Sequence, residues 1–170
     1  RFKQENSHTT PTPAIAHRLN PDGIIPSPSL PHREAIGGVM WPAIMTRPDI
    51  IQAATQVAQF TASFCTHHWD AVMRILHYLK GTMKYGIVMR KTNDPSLLRL
   101  RSYCDADFAG DYDRRSYGGS VSYLWNTIIH WTCKKIKNIC VSVHESELVT
   151  MSRTALVIRW QIVKAITGKC

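Results

Sequence analysis

From about residue 97 the chain leaves a helical period and begins to alternate. Leu98, Leu100 and Cys104 take turns with Arg99, Arg101, Tyr103 and Asp105, the two-residue period of a strand with one buried face. Residues 118–125 and 128–133 read as two more strands, joined by Asn126 and Thr127. Sequential strands with connections this short pair with their neighbours, so the pattern predicts an antiparallel three-strand meander.

A helix is predicted to follow, over 142–167. Ser142 and Glu145 have capping-box spacing, with Glu145 able to reach back to the Ser142 amide. Leu148, Met151, Ala155, Ile158 and Ile162 form the expected inward stripe. Upstream, residues 48–64 read as a helix with Thr46 as N-cap and Pro48 in the first turn. Its stripe is Ile50, Ala54, Val57 and Thr61, with Ile51 and Ala58 beside it. Residues 67–80 read as a second helix, with Trp69, Val72, Leu76 and Leu79 on one face and Gly81 as its stop. His67 and His68, at its start, are expected to be surface or capping groups. Residues 1–33 hold six of the nine prolines and read as an extended linker or strap. The predicted organisation is a linker over 1–33, a helical hairpin segment over 34–95 and a β-meander plus helix over 96–170, an α+β fold.

An apolar fraction of 44% suffices for a core. No run of 18 apolar residues exists to span a membrane, and the first residues lack the apolar stretch of a signal peptide. Five scattered cysteines without a CxxC pair argue for a reducing, intracellular setting, cytoplasm or nucleus. The net charge of +9 favours a polyanionic partner, because Lys and Arg that neutralise phosphates release counterions. The alternative is a basic surface with no partner.

Six of the twelve acidic residues fall in two short clusters: Asp105, Asp107, Asp111 and Asp113, then Glu145 and Glu147. Glu145 has a capping task. Glu147 has none, and it falls on the azimuth of Met151, Thr154 and Ile158, the expected inward side. A carboxylate directed at a core is costly unless it is paired or holds a metal; the competing reading is a solvated first turn. Strand-end carboxylates can bind a hard cation through oxygen, although an Asp cluster alone is more often an acidic turn. Lys134, Lys135 and Lys137 follow the third strand and could contact phosphate, or form a solvated basic loop. His130, Cys133, Cys140 and His144 do not have the spacing of a zinc site. Trp69, Trp131 and Trp160 read as core residues rather than base-stacking platforms.

Longer motifs are more specific. Tyr103-Cys104-Asp105-Ala106-Asp107-Phe108-Ala109-Gly110-Asp111 resembles the Y-S-D-A-D-W-A-G-D motif of copia-type retrotransposon ribonuclease H. Arg114-Arg115-Ser116 with Gly118-Gly119, then Ile129-His130-Trp131-Thr132-Cys133-Lys134-Lys135 and His144-Glu145-Ser146-Glu147-Leu148, are similar to the family segments that follow. Upstream, Pro31-His32-Arg33-Glu34-Ala35-Ile36-Gly37, Thr46-Arg47-Pro48-Asp49-Ile50, His68-Trp69-Asp70-Ala71-Val72 and Arg74-Ile75-Leu76-His77-Tyr78-Leu79-Lys80-Gly81-Thr82 resemble P-Y-R-E-A-I-G, T-R-P-D-I, H-W-E-A-V and R-I-L-R-Y-L-K-G-T. The likeness is collinear over nearly the whole chain. It implies that residues 1–95 link reverse transcriptase to ribonuclease H, and that 96–170 are the first half of a truncated ribonuclease H-like domain. Asp105 and Glu147 would be its first two catalytic carboxylates, metal ligands for Mg²⁺ or Mn²⁺ in two-metal hydrolysis of RNA in RNA–DNA hybrids. The family's later carboxylates and the polymerase Y-x-D-D motif are absent from these 170 residues, and Ser146, Leu148 and Thr150 replace the family's A, Y and A. The chain as it stands is therefore expected to be inactive. The implied partners are an RNA–DNA hybrid or other nucleic acid and the rest of the Pol polyprotein. The alternatives are a non-catalytic basic nucleic-acid-binding remnant and a decayed transposon sequence.

Overall fold

The structure, a computed structural model, describes residues 18–24, 30–89, 93 and 99–167, the last three of these by backbone alone. Most of the expected linker over 1–33, Leu98 and the expected boundary near residue 95 lie outside the described residues. The chain divides into two compact units, Arg1–Gly86 and Ile87–Cys170. Among the described residues no helix is long and apolar enough to cross a membrane.

Among the described residues, the first unit has three helices rather than the expected pair. They are α1 (His32–Met45), α2 (Ile51–Ala58), which is preceded by a 3₁₀ turn (Pro48–Ile50), and α3 (Thr66–Gly81). The pattern hid α1 because Gly37, Gly38 and Pro42 are poor helix residues in an interior. Tertiary packing overrides that preference. His32, Ala35, Ile36, Val39 and Ala43 form one buried stripe against the core made with Ile50, Ala54, Val57, Val72 and Ile75. The second helix stops at Ala58, short of residue 64. Its last carbonyls are taken locally, Val57 O by the Phe60 amide at 3.1 Å and Ala58 O by the Thr61 hydroxyl at 2.6 Å.

Helix α3 starts from Cys65. Its amide donates to His68 Nδ1 at 2.9 Å, so His68 is a capping group as expected. It is not a surface group, being fully buried and stacked on Phe60 at 3.8 Å. His32 stacks in the same way on Phe64 at 3.9 Å. The expected face of α3 rotates slightly. Val72 is buried with His68, Ala71, Ile75 and Tyr78, while Trp69, Leu76 and Leu79 pack at the core's edge.

Two of the quoted motifs meet in this unit. Arg47 makes a bidentate bond to Asp49, Nε to Oδ1 at 2.9 Å and the second guanidinium nitrogen to Oδ2 at 2.7 Å. The same guanidinium donates to the Thr82 carbonyl at 3.1 Å and the Thr82 hydroxyl at 2.6 Å. Tyr78 donates its hydroxyl to Asp49 Oδ2 at 2.9 Å. The T-R-P-D-I-like segment is thus fastened to the far end of the R-I-L-R-Y-L-K-G-T-like helix. Burial raises the Asp49 carboxyl, but the bonds from Arg47 and Tyr78 outweigh it and hold the group below the ordinary carboxylate range.

The second unit is the expected meander. Strands β1 (Leu100–Asp107), β2 (Tyr117–Leu124) and β3 (Thr127–Lys135) form an antiparallel sheet in the order β1-β2-β3. Ala106 lies opposite Gly118, and Gly118 opposite Lys134. Helix α4 (Val143–Thr167) packs on β1 and β2. Its cap differs slightly from the expected box: the Glu145 amide donates to Ser142 Oγ at 3.1 Å, but Glu145 Oε2 accepts from Val141, not Ser142, at 2.7 Å.

The inward stripe of α4 is a correction. Leu148, Met151 and Ile162 are exposed, Ala155 is exposed and Ile158 half-buried, whereas Ser146, Thr150 and Thr154 are buried. Trp160, expected in the core, is exposed as well, under Lys164. The physical reason is the sheet beneath. A Cβ on Gly118 would lie 2.5 Å from Thr150 Oγ1, so helix and strand approach too closely for Leu or Met. The buried hydroxyls are satisfied within the helix. Ser146 donates to Val143 O at 2.7 Å, Thr150 to Ser146 O at 2.9 Å and Thr154 to Thr150 O at 2.8 Å.

Replacing Gly118 by Ala is expected to destabilise the second unit by about 1–3 kcal/mol, the usual cost of overpacking a tight contact. Adding Thr150→Ala, which removes the clashing oxygen, should restore most of that loss. Urea denaturation of the four proteins of this cycle checks it; two losses that simply add would show that the contact does not set the spacing.

Candidate functional site

The even-numbered residues of β1 share the Gly118 face under α4, and the odd-numbered ones, Arg101, Tyr103, Asp105 and Asp107, are exposed on the other. Asp105 lies opposite Gly119, one residue from the Ala106–Gly118 pair that Thr150 touches. Glu147 is half-buried on α4, one turn before Thr150. The two carboxylates are therefore anchored at the same end of the meander. Asp105 starts from the open face of the sheet and Glu147 from the helix that covers the other face. Among the described residues neither carboxylate has a side-chain hydrogen bond or ion pair in the structure. Hard carboxylate oxygens are the donor chemistry that Mg²⁺ or Mn²⁺ takes. Among the described residues, no group of three or more His, Cys, Asp or Glu is assembled for a metal. His130 and Cys133 lie on opposite faces of β3, paired with Ser122 and Gly119.

The rest of the acidic cluster has a structural task. Asp111 is buried and ion-paired with Lys135 Nζ, which also bonds Asp113 at 2.8 Å. The loop between β1 and β2 closes on itself through Asp111 N to Arg115 O at 3.1 Å and Ala109 N to Ser116 Oγ at 3.1 Å. Burial lowers the Lys135 ammonium pKa, but the two carboxylates outweigh it and raise it overall. Lys135 is thus a clamp on the acidic loop. Lys134 and Lys137 remain exposed. The Cys133 thiol is pushed up to about 11 by burial and then by the Asp107 charge, so it stays protonated and unreactive near neutral pH.

Arg153 is the residue that sequence reasoning passed over. It stands on α4 between Thr150 and Thr154 and lines a cleft with Lys134 and Lys137. A lone Arg in a helix gives no motif, and its position depended on the face of α4 that the apolar pattern misassigned.

No family model matches the chain, and no solved structure does. Several known proteins do. The chain is 32% identical over 137 residues to secreted RxLR effector protein 161 of Plasmopara viticola, covering 80% of this chain and 94% of that protein. It is 37% identical over 130 residues to the retrovirus-related Pol polyprotein from transposon RE1 of Arabidopsis thaliana, covering 76% of this chain and 9% of the polyprotein. It is 31% identical over 171 residues to the corresponding polyprotein from transposon TNT 1-94 of Nicotiana tabacum, covering 94% of this chain and 12% of that polyprotein. The chain belongs to the copia-type retrotransposon Pol polyprotein family, and spans only a small part of the polyproteins it matches.

Proposed function

We propose that this chain is the part of a Pol polyprotein that brings Asp105 and Glu147 to a ribonuclease H-type centre acting on the RNA strand of RNA–DNA hybrids. The observation that carries the reading is the pair of carboxylates, anchored at one end of the meander, with no competing partner among the described residues. When bound there, Mg²⁺ or Mn²⁺ supplies charge stabilisation and an activated water. The chain's own part is to present the two carboxylates from a strand and a helix. The basic surface supports the hybrid as partner, and the rest of the polyprotein completes the centre.

Two carboxylates hold one ion loosely, and two-metal hydrolysis needs more ligands in fixed geometry. The 170-residue chain is therefore expected to bind a labelled hybrid at low salt without cutting it in Mg²⁺ or Mn²⁺. Metal titration followed by NMR should show Mn²⁺ broadening at Asp105 and Glu147 that Asp105→Asn abolishes. Divalent-dependent cleavage that disappears in Asp105→Asn would instead make the chain a self-sufficient nuclease. Absence of broadening at both residues would remove the shared-ion reading.

A further inference from the structure

We infer that the cleft between α4 and the β2–β3 hairpin is a binding site for a phosphate-bearing anion, on the side of the sheet away from Asp105. The cleft has a volume of about 330 Å³. Its charged lining is Lys134, Lys135, Lys137 and Arg153, and Thr132 and Val157 line it as well. Lys134 pairs with Gly118 in the sheet, so it shares the face that α4 covers. Arg153 comes down from α4 toward the same space.

Three observations point to the ligand class. Lys134, Lys137 and Arg153 have no carboxylate partner among the described residues, whereas Lys135 beside them is committed to Asp111 and Asp113. Among the described residues no acidic residue lines the cleft, and of its four cations only Lys135 is met by carboxylates. Among the described residues no aromatic lines it either, so they offer no platform on which a base could stack. A cavity at the small end of the ligand-site range suits a phosphodiester with its sugar, or a short oligophosphate, rather than a whole base-bearing nucleotide. The planar guanidinium of Arg153 offers a bidentate grip, and the two ammonium groups act as point charges.

Two sources carry this chemistry: the backbone of a nucleic acid and a free oligophosphate. The inference rests on the nucleic-acid reading above for the first source only. It does not involve Asp105, so its failure and the failure of the carboxylate reading are separate results.

The test is titration of the full 170-residue chain with a fluorescein-labelled RNA–DNA hybrid and, separately, with tripolyphosphate, each at several salt concentrations. Lys134→Gln/Arg153→Gln is the test variant, Lys134→Arg/Arg153→Lys the charge-conserving one, and Lys84→Gln, an exposed lysine of the first unit, the control. A backbone source predicts hybrid binding weakened at least tenfold in the Gln variant, with the slope of log K against log salt reduced by about 2, one per lost phosphate contact. A free oligophosphate predicts tripolyphosphate binding that is lost in the same variant while hybrid binding is unaffected. In either case the charge-conserving variant and Lys84→Gln retain binding, and circular dichroism of the Gln variant matches the parent. The inference is overturned if neither ligand binds, or if both bind the Gln variant as tightly as the parent.

Discussion

Arg47→Ala is expected to lower the stability of the first unit by about 3 kcal/mol, a large share of what a unit of this size possesses. The guanidinium is almost wholly buried, its side chain only 7% exposed, and it is the hub between Asp49, Thr82 and the Tyr78 ring. Truncation strips the Asp49 charge of both guanidinium bonds, leaving it the Tyr78 hydroxyl and a backbone bond, and it leaves the Thr82 carbonyl without its guanidinium bond. The Asp49 side chain is 33% exposed, so water softens the loss and places it at the low end of the range for broken buried pairs. Arg47→Lys should recover little, because an ammonium cannot reproduce the two-pronged bond to Asp49. Urea denaturation followed by tryptophan fluorescence, in a chain whose tryptophans other than Trp69 are replaced by Phe, reads the effect; a midpoint unmoved by Arg47→Ala would mean that the network is ornamental.

Acidification should weaken the same unit by a similar amount. His68 is fully buried, and burial first, then the charges of His67 and His32, bring its pKa down to about 4 from 6.5. His32, also buried, is lowered by burial. In the unfolded chain both return to ordinary values, so below pH 6.5 the unfolded state binds protons that the folded state refuses. The stability from keeping His68 neutral is complete above about pH 6.5, falls as pH drops toward 4, and changes no further below that. A depression of this size corresponds to about 3 kcal/mol for His68 alone. His68→Gln should flatten the profile between pH 7 and 4.5, at the cost of some stability at neutral pH. An unchanged slope in that variant would assign the acid sensitivity elsewhere.

The parts of the fold legible in the sequence were those written as strong periods or as capping chemistry. The alternation from Leu100 to Asp105 located β1, the short connections located the meander, and Ser142 with Glu145 marked the start of α4. Helix α1 was hidden because its glycines and Pro42 speak against a helix that only contacts with other helices sustain. The inward face of α4 was misread because hydrophobicity is a guide to burial only where there is room for large side chains. Over Gly118 there is none, and hydroxyls bonded back to their own helix are smaller and carry no unsatisfied group. Asp111 and Lys135 looked like separate candidates for metal and phosphate, and proved to be each other's partners across the sheet edge. Asp105 and Glu147 were legible as residues from motif resemblance; their common end of the meander depends on strand register, which no local pattern encodes.

The seam of Ser146, Thr150 and Thr154 acts as a shim of fixed thickness between helix and sheet. Glu147 and Arg153 ride on the same rigid rod, one on each side of Thr150. Thickening the shim by one methyl group lifts both together, so the carboxylate end and the basic cleft are geared to a single spacer. The outward positions Leu148, Met151 and Ile162 can drift without disturbing that gearing, whereas the three small inward ones cannot.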